Sequence, residues 1–436
     1  MTNNKQNYTL PIAMMFALFF MIAFVTGLQN PMAIIVKNQF ETSNFLSQLG
    51  NFANFIAYAF MGIPAGILLK KRGYKFTALS AIAFGFAGVL ISIISSFIYS
   101  PEANNGTFTF IVYLIGALVS GFSMCMLNTV VNPMLNTLGG GGKKGNQLIQ
   151  LGGATNSIGA TIIPVLVGYL IGNASQSTIA DARPALYIAM AIFALAFIVL
   201  GFVRIPEPHI LSKEELALDK KNGSIKDLFS FRHYVLGTIA IFIYVGVEVG
   251  IPNIGNLLMT QAAAEGGLAL NTTVAGSIVG TYWFLMLIGR LVGASIGGKV
   301  SSRKMLTTVA TIGIIMVIVA ILTPMTTLVK MPAFNSNITF SMEVVPLSVM
   351  LLILCGLCTS VMWGGIFNLA VEGLGKLTPA ASGFFMVMVC GGGILPLLQS
   401  KVADATSYID SYWVVVAGLA YLLFYALIGS KTKKNN

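Results

Sequence analysis

The stretch Leu10-PIAMMFALFFMIAFVTGLQNPMAII-Val36 runs for 27 residues without one charged side chain. A helix needs about 20 apolar residues to cross a hydrocarbon core about 30 Å thick. A signal-peptide core has only about 7–15 such residues and precedes a small-residue cleavage site. This run is longer, and no A-x-A-like site follows it. It reads as a first membrane span.

Eleven similar runs follow, so that twelve centre near residues 23, 57, 87, 122, 160, 194, 246, 285, 313, 357, 390 and 420. Turn and charge signals separate them at Lys70–Lys75, Pro101–Thr107, Gly139–Gly145, Asn173–Arg183, Ser301–Lys304 and Glu372–Pro379. Composition agrees. Of 436 residues, 56% are hydrophobic and 9% charged, against about 25% charged in a soluble domain. So few charges cannot cover a water-soluble surface. The expected fold class is an all-α membrane protein of twelve transmembrane helices.

The net charge of +11 is explained by its distribution. With the N-terminus inside, 20 of the 25 lysines and arginines fall in segments on the cytoplasmic side. Lys37, Arg183, Lys330 and Lys401 fall outside, and Arg290 lies within a span. This bias predicts an inner-membrane protein with both termini cytoplasmic. It also removes the charge as an argument for nucleic acid. The bilayer is the expected partner, and the chain is expected as a monomer.

Cys125, Cys355, Cys358 and Cys390 all lie in apolar runs and read as small apolar packers. Cys355 and Cys358 have C-x-x-C spacing without a second ligand pair or a nearby histidine, so neither a metal nor a cofactor is expected. No H-E-x-x-H occurs, and His209 and His233 lie in or beside the polar segment Arg204–Arg232. Catalysis is not expected.

That polar segment divides the chain into 1–203, a linker 204–232, and 233–436. The two halves echo each other. Asn132-Pro-Met-Leu-Asn-Thr-Leu-Gly139 and Asn368-Leu-Ala-Val-Glu-Gly-Leu-Gly375 share N-x-x-x-[N/E]-x-L-G. Ile163-Pro-Val-Leu166 returns as Leu395-Pro-Leu-Leu398, and Gly62-x-x-x-Gly66 as Gly289-x-x-x-Gly293. Three echoes in order predict duplicated six-helix bundles related by pseudo-symmetry, the parallel-repeat plan of major facilitator transporters. The glycines would let helix backbones approach closely where lipid supplies no hydrophobic drive.

Polar side chains inside spans are costly unless they pair or line a wet cavity. The N-terminal half offers Gln29, Asn30, Asn51, Asn54, Asn128, Asn132, Gln150 and Asn156. The C-terminal half offers Glu248, Asn253, Asn256 and Asn368. Amides with few charges suit a neutral polyhydroxylated ligand, because each offers donors and acceptors to hydroxyls. Trp283, Trp363, Tyr244 and Tyr282 could stack on such a ligand, or simply pack. Trp413, near a span end, reads as an interface anchor. The candidate binders are Asn30, Asn128, Asn132, Asn156, Glu248, Asn253 and Trp363.

Two charges lie deep. At 1.5 Å per residue, Glu248 stands about 24 Å up its span and Arg290 about 14 Å. A direct pair is therefore not expected. Arg290 is expected instead to reach toward Glu372 as a structural charge. Glu248 has three open roles: proton carrier, acceptor for a ligand hydroxyl, or structural acid.

Gly66-Ile-Leu-Leu-Lys-Lys-Arg-Gly-Tyr-Lys75 resembles the major facilitator loop G-x-x-x-D-[R/K]-x-G-[R/K]-[R/K], with Lys70 at the acidic position. Asn38-Gln-Phe40, Pro64–Lys71, Val131-Asn-Pro133, Asn156-Ser-Ile-Gly159, Tyr244-Val-Gly-Val-Glu248, Gly289-Arg290, Glu372-Gly-Leu-Gly375 and Gly392–Gln399 extend the likeness over nearly the whole chain. Together they resemble the fucose–galactose–glucose:proton symporter family, and its glucose/galactose branch more than its fucose branch. The resemblance implies transport of a hexose or deoxyhexose, with the two bundles rocking around a central site. It implies a cytoplasmic latch at Gly66, Lys71, Gly73 and Lys75. The family's two proton-linked acids are missing, replaced by Ile34 and Asn128. Coupling to a proton, to sodium, or to neither stays open. Two rivals remain: an acidic-sugar transporter using Arg290, and a membrane sugar sensor that does not transport.

Overall fold

The computed structural model describes residues 8–40, 49–100, 105–171, 177–207, 225–335 and 338–432. Among them, nine helical stretches are long and apolar enough to cross a membrane. The first, Leu49–Ile98, is two helices, α2 (49–72) and α3 (74–98), broken where Gly73 takes φ 83°. That left-handed backbone suits glycine and few other residues. The rest of the nine are α4 (Gly106–Leu138), α6 (Arg183–Phe202), α7 (Arg232–Thr260), α8 (Thr273–Gly297), α9 (Ser302–Leu322), α10 (Leu347–Ala370), α11 (Gly375–Ala405) and α12 (Asp410–Gly429). With α1 (Thr9–Gln39) and α5 (Gly142–Ile171) they make the twelve helices expected.

The termini carry local signals. Asn271 accepts from Thr273 N–H at 2.8 Å and caps α8, and Ser301 accepts from Lys304 N–H at 3.4 Å and caps α9. Each satisfies an otherwise orphaned donor. At the end of α3, Arg183 donates to Ser96 O at 2.6 Å and stacks 3.9 Å over Phe97. A cation there complements the helix C-terminus. Between α9 and α10 stands a β-hairpin, β1 (Leu328–Phe334) and β2 (Phe340–Pro346), which the sequence reading did not anticipate.

The helices form two compact units. Unit 1 holds the described residues of 1–141, 158–224 and 374–387; unit 2 holds those of 142–157, 225–373 and 388–436. The first half of α5 thus packs with later helices, and the first half of α11 with earlier ones.

Unit 1 contains a close helix crossing built from glycines. A Cβ on Gly62 would lie 2.6 Å from Gly383 O, and one on Gly66 would lie 2.9 Å from Gly383 Cα. The expected close approach is present, with α11 as the partner. The partner glycines Gly289 and Gly293 also face a neighbour closely, but here it is α10: Ser360 Oγ at 2.2 Å and Val361 Cγ1 at 2.4 Å from the added Cβ.

Prolines inside helices leave carbonyls without their usual donor four residues later. Two such carbonyls are answered by other helices. Pro133 frees Thr129 O, which accepts from Ser382 Oγ at 3.1 Å in unit 1. Pro252 frees Glu248 O, which accepts from the Tyr282 hydroxyl at 3.1 Å in unit 2. Both bonds are interhelical contacts of the kind that hold membrane bundles together.

Candidate functional site

Unit 2 holds a polar cluster inside the spans. It is built on α7, α8, α10 and the first half of α5. The structure corrects the sequence expectation here: Arg290 Nη2 lies 3.3 Å from Glu248 Oε1, an ion pair with both side chains 12% exposed. Residue counts along upright helices leave out tilt and the length of the arginine side chain. Tilt of about 20° is ordinary for such helices, and a long side chain closes the remaining gap. The predicted reach of Arg290 to Glu372 does not occur. Glu372 is exposed, and its backbone carbonyl meets His233 Nε2 at 2.9 Å.

Arg290 makes further bonds. Nη1 donates to Gly153 O at 3.0 Å and to Ser157 Oγ at 2.7 Å, and Nε to Ser360 O at 3.4 Å. The guanidinium therefore ties α5, α7 and α10 to α8. Gly153 leaves room for it: an added Cβ there would meet Arg290 Cδ at 3.4 Å. A buried charge is tolerated only when paired and hydrogen-bonded, and both conditions hold.

Around Glu248 stand aromatic and hydroxyl groups. Tyr282 OH contacts Thr359 Oγ1 at 2.9 Å as well as Glu248 O. Tyr244, one turn before Glu248, is fully buried, and its hydroxyl stands against the Glu248 carboxyl group. Its ring meets Trp363 edge-on at 6.3 Å. Trp363 and Asn156 are half-buried, and Asn253 is exposed. Glu248 and Trp363 are thus brought together through Tyr244. Tyr282 is read from sequence as a possible stacking face and not as a hydroxyl donor, and Thr359 is not singled out, yet Pro252 four residues after Glu248 announces a free carbonyl needing a donor.

In unit 1, Asn128 Nδ2 donates to the Tyr58 hydroxyl at 2.9 Å and to Met124 O at 3.2 Å. Asn132 Nδ2 reaches Asn128 O at 2.9 Å and Asn128 Oδ1 at 3.4 Å. These two candidates form one buried cluster with Tyr58. One turn before Tyr58, Asn54 is 3% exposed, and neither its amide nitrogen nor its oxygen has a partner. The side chains of Asn30 and Ile34 lie outside the described residues. Other amides are structural: Gln150 donates to Val361 O at 2.9 Å, and Asn368 to Ser302 Oγ at 2.9 Å.

The candidate latch is also in unit 1. Past Gly73, the Tyr74 and Lys75 N–H groups donate to the Glu207 carboxylate at 2.6 and 2.9 Å, and Lys75 Nζ to Gly201 O at 2.7 Å. Lys71 is exposed. Burial holds the Glu207 carboxyl above its ordinary value, against the pull of the two N–H groups. Glu207 lies in the polar segment and was missed by motif spacing.

No group of three or more His, Cys, Asp or Glu side chains suited to a metal occurs among the described residues. Cys125, Cys355 and Cys358 are buried and free.

Comparison with known proteins places this architecture. The sequence profile described as Major Facilitator Superfamily matches residues 15–396. The chain is 30% identical to a glucose/galactose transporter of Brucella abortus, over 99% of this chain and 97% of that one. It is also 30% identical to a putative glucose/galactose transporter of Helicobacter pylori, over 99% and 100% of the two chains. A crystal structure of the Escherichia coli fucose:proton symporter superposes with a TM-score of 0.78 at 21% identity, covering 98% of this chain and all of the other. The profile spans most of the chain and the relatives align end to end, so this chain is a member of the Major Facilitator Superfamily.

Proposed function

We propose that the protein carries a neutral sugar, a hexose or deoxyhexose such as glucose, galactose or fucose, across the bacterial inner membrane by alternating access. The names of its relatives support the sugar class. The observation that carries the choice of a neutral sugar is the Glu248–Arg290 pair at 3.3 Å. Its charges cancel, so the cluster offers hydroxyls, amides and aromatic faces without a net charge to attract an acid. An acidic sugar would have to displace Glu248 from Arg290.

In this reading Asn30, Asn128, Asn132, Asn156, Glu248 and Asn253 bind sugar hydroxyls, with Trp363 stacking on a sugar face. Glu248 also takes up the coupling proton, replacing the family acids absent at Ile34 and Asn128. The neutral acid then releases Arg290, whose other bonds run to α5 and α10. The loop Gly66–Lys75 acts as the cytoplasmic latch, the six-helix halves 1–203 and 233–436 move about the linker, and both termini lie in the cytoplasm.

Counterflow in proteoliposomes tests the reading, using hexoses, deoxyhexoses, amino sugars and acidic sugars with and without proton or sodium gradients. Counterflow of a neutral hexose or deoxyhexose is expected. Stabilisation by sugar without any counterflow would make the protein a sensor. Exchange of acidic sugars alone, abolished in Arg290→Lys, would replace the neutral sugar by an acid.

A further inference from the structure

The hairpin between α9 and α10 carries its greasy side outward. Its register pairs Leu328 with Pro346, Lys330 with Val344 and Pro332 with Met342. Alternation along each strand puts Leu328, Lys330, Pro332, Met342 and Val344 on one face. That face is open: Leu328 is 61% exposed, Met342 62% and Val344 53%. The opposite face is buried at Met331, Ala333 and Val345, and it also holds the half-buried Ser341 and Glu343. A hairpin facing water shows the reverse order, polar outward.

The position of the hairpin fits a second solvent. α9 has 21 residues, about 31 Å at 1.5 Å per residue, the thickness of a hydrocarbon core. Its exposed stripe, Ile312, Ile315, Val319 and Leu322, ends at Leu322, which is 72% exposed. Six residues later the hairpin begins at Leu328, itself exposed. The far end is fixed to α8: Phe334 N–H donates to Thr281 Oγ1 at 2.8 Å, and the Phe334 ring stacks on Phe284 at 4.9 Å.

We propose that this outward face is a lipid-docking surface, lying in the boundary between headgroups and acyl chains. Leu328, Met342 and Val344 enter the acyl region, and the Lys330 ammonium extends toward lipid phosphates. A peripheral element with an apolar face and a lysine at its margin binds a bilayer in this way. The hairpin then ties α8, the helix that carries Arg290, to the bilayer surface at Thr281 and Phe284.

Nitroxide labels test this in the full-length protein in phosphatidylcholine–phosphatidylglycerol vesicles, at Met342→Cys, Val344→Cys and, between them, Glu343→Cys. Label on the four native cysteines is subtracted using the unsubstituted protein. At 342 and 344, relaxation by oxygen, which partitions into lipid, is expected to exceed relaxation by a water-soluble nickel chelate several-fold. At 343 that excess is expected to vanish. Dominance of the nickel chelate at 342 and 344 overturns the proposal in favour of water. Weak collisions with both reagents, or spin coupling between labels on two copies, overturns it in favour of protein contact.

Discussion

Two helix crossings occupy corresponding places in the repeat, and they are built from different materials. In unit 1, α2 meets α11 glycine on glycine, with Gly62 and Gly66 against Gly383. In unit 2, α8 meets α5 through a charge, with Arg290 bonded to Gly153 and Ser157 and paired with Glu248. The first depends on backbone contact and tolerates no added atom. The second depends on polar bonds and holds a buried acid beside its cation. Duplication preserved the small-residue spacing but not its use: Gly289 and Gly293 turn to α10, which leaves the intervening Arg290 free to face α5. One crossing is backbone against backbone, and the other is a set of polar bonds around a buried charge.

The largest expected effect breaks the charged crossing. Arg290→Leu leaves Glu248 without its cation, a change that costs about 3–5 kcal/mol for a buried pair. Loss of transport and a marked fall in detergent melting temperature are expected, and Glu248→Gln in the same background should restore part of the melting temperature. No recovery in the double variant would remove the pair as the reason.

Alanine at the two facing glycines sharpens the contrast. A Cβ on Gly383 would lie 2.6 Å from Gly62 O, a backbone atom that cannot yield. A Cβ on Gly153 would lie 3.4 Å from Arg290 Cδ, an ordinary contact with a flexible side chain. Gly383→Ala should therefore cost about 1–3 kcal/mol, the range for overpacking, while Gly153→Ala stays near wild type. Thermal unfolding of both variants reads this directly, and equal melting temperatures would dissolve the distinction.

Smaller effects are expected where hydroxyls answer proline-freed carbonyls. Interhelical hydrogen bonds in membranes average about 0.6 kcal/mol and reach about 1.7. Ser382→Ala and Tyr282→Phe should each fall in that range by unfolding. Tyr282→Phe should also slow sugar counterflow, because its partner is the Glu248 backbone, whereas Ser382→Ala should not.

The smallest concerns pH. The Glu207 carboxyl is held above its ordinary value, so the folded state binds more protons there than the unfolded state does. Stability from this group is present at low pH and declines as pH rises from the ordinary carboxylate range through the folded value. Melting temperature against pH should show a shallow downward slope in that window, absent in Glu207→Gln.

The span pattern was legible because bilayer crossing requires long apolar runs, and all twelve runs became helices. Gly62 and Gly66 were legible as close-approach residues, but spacing says nothing about which helix approaches. The Glu248–Arg290 pair was misread because counting residues from span ends ignores tilt and side-chain reach. The Tyr282 bond was encoded in Pro252, since a proline in a helix interior frees the carbonyl four residues earlier. The hairpin was hidden because its alternation is short and its outward face is as apolar as the spans beside it.

Sugar counterflow and sugar-evoked proton uptake, measured on the same proteoliposomes for wild type and Glu248→Gln, test the role of the charged crossing most directly. Glutamine keeps an acceptor for sugar hydroxyls but cannot carry the proton. Counterflow retained and proton uptake lost is the predicted result; sugar-evoked proton uptake unchanged in Glu248→Gln would contradict it.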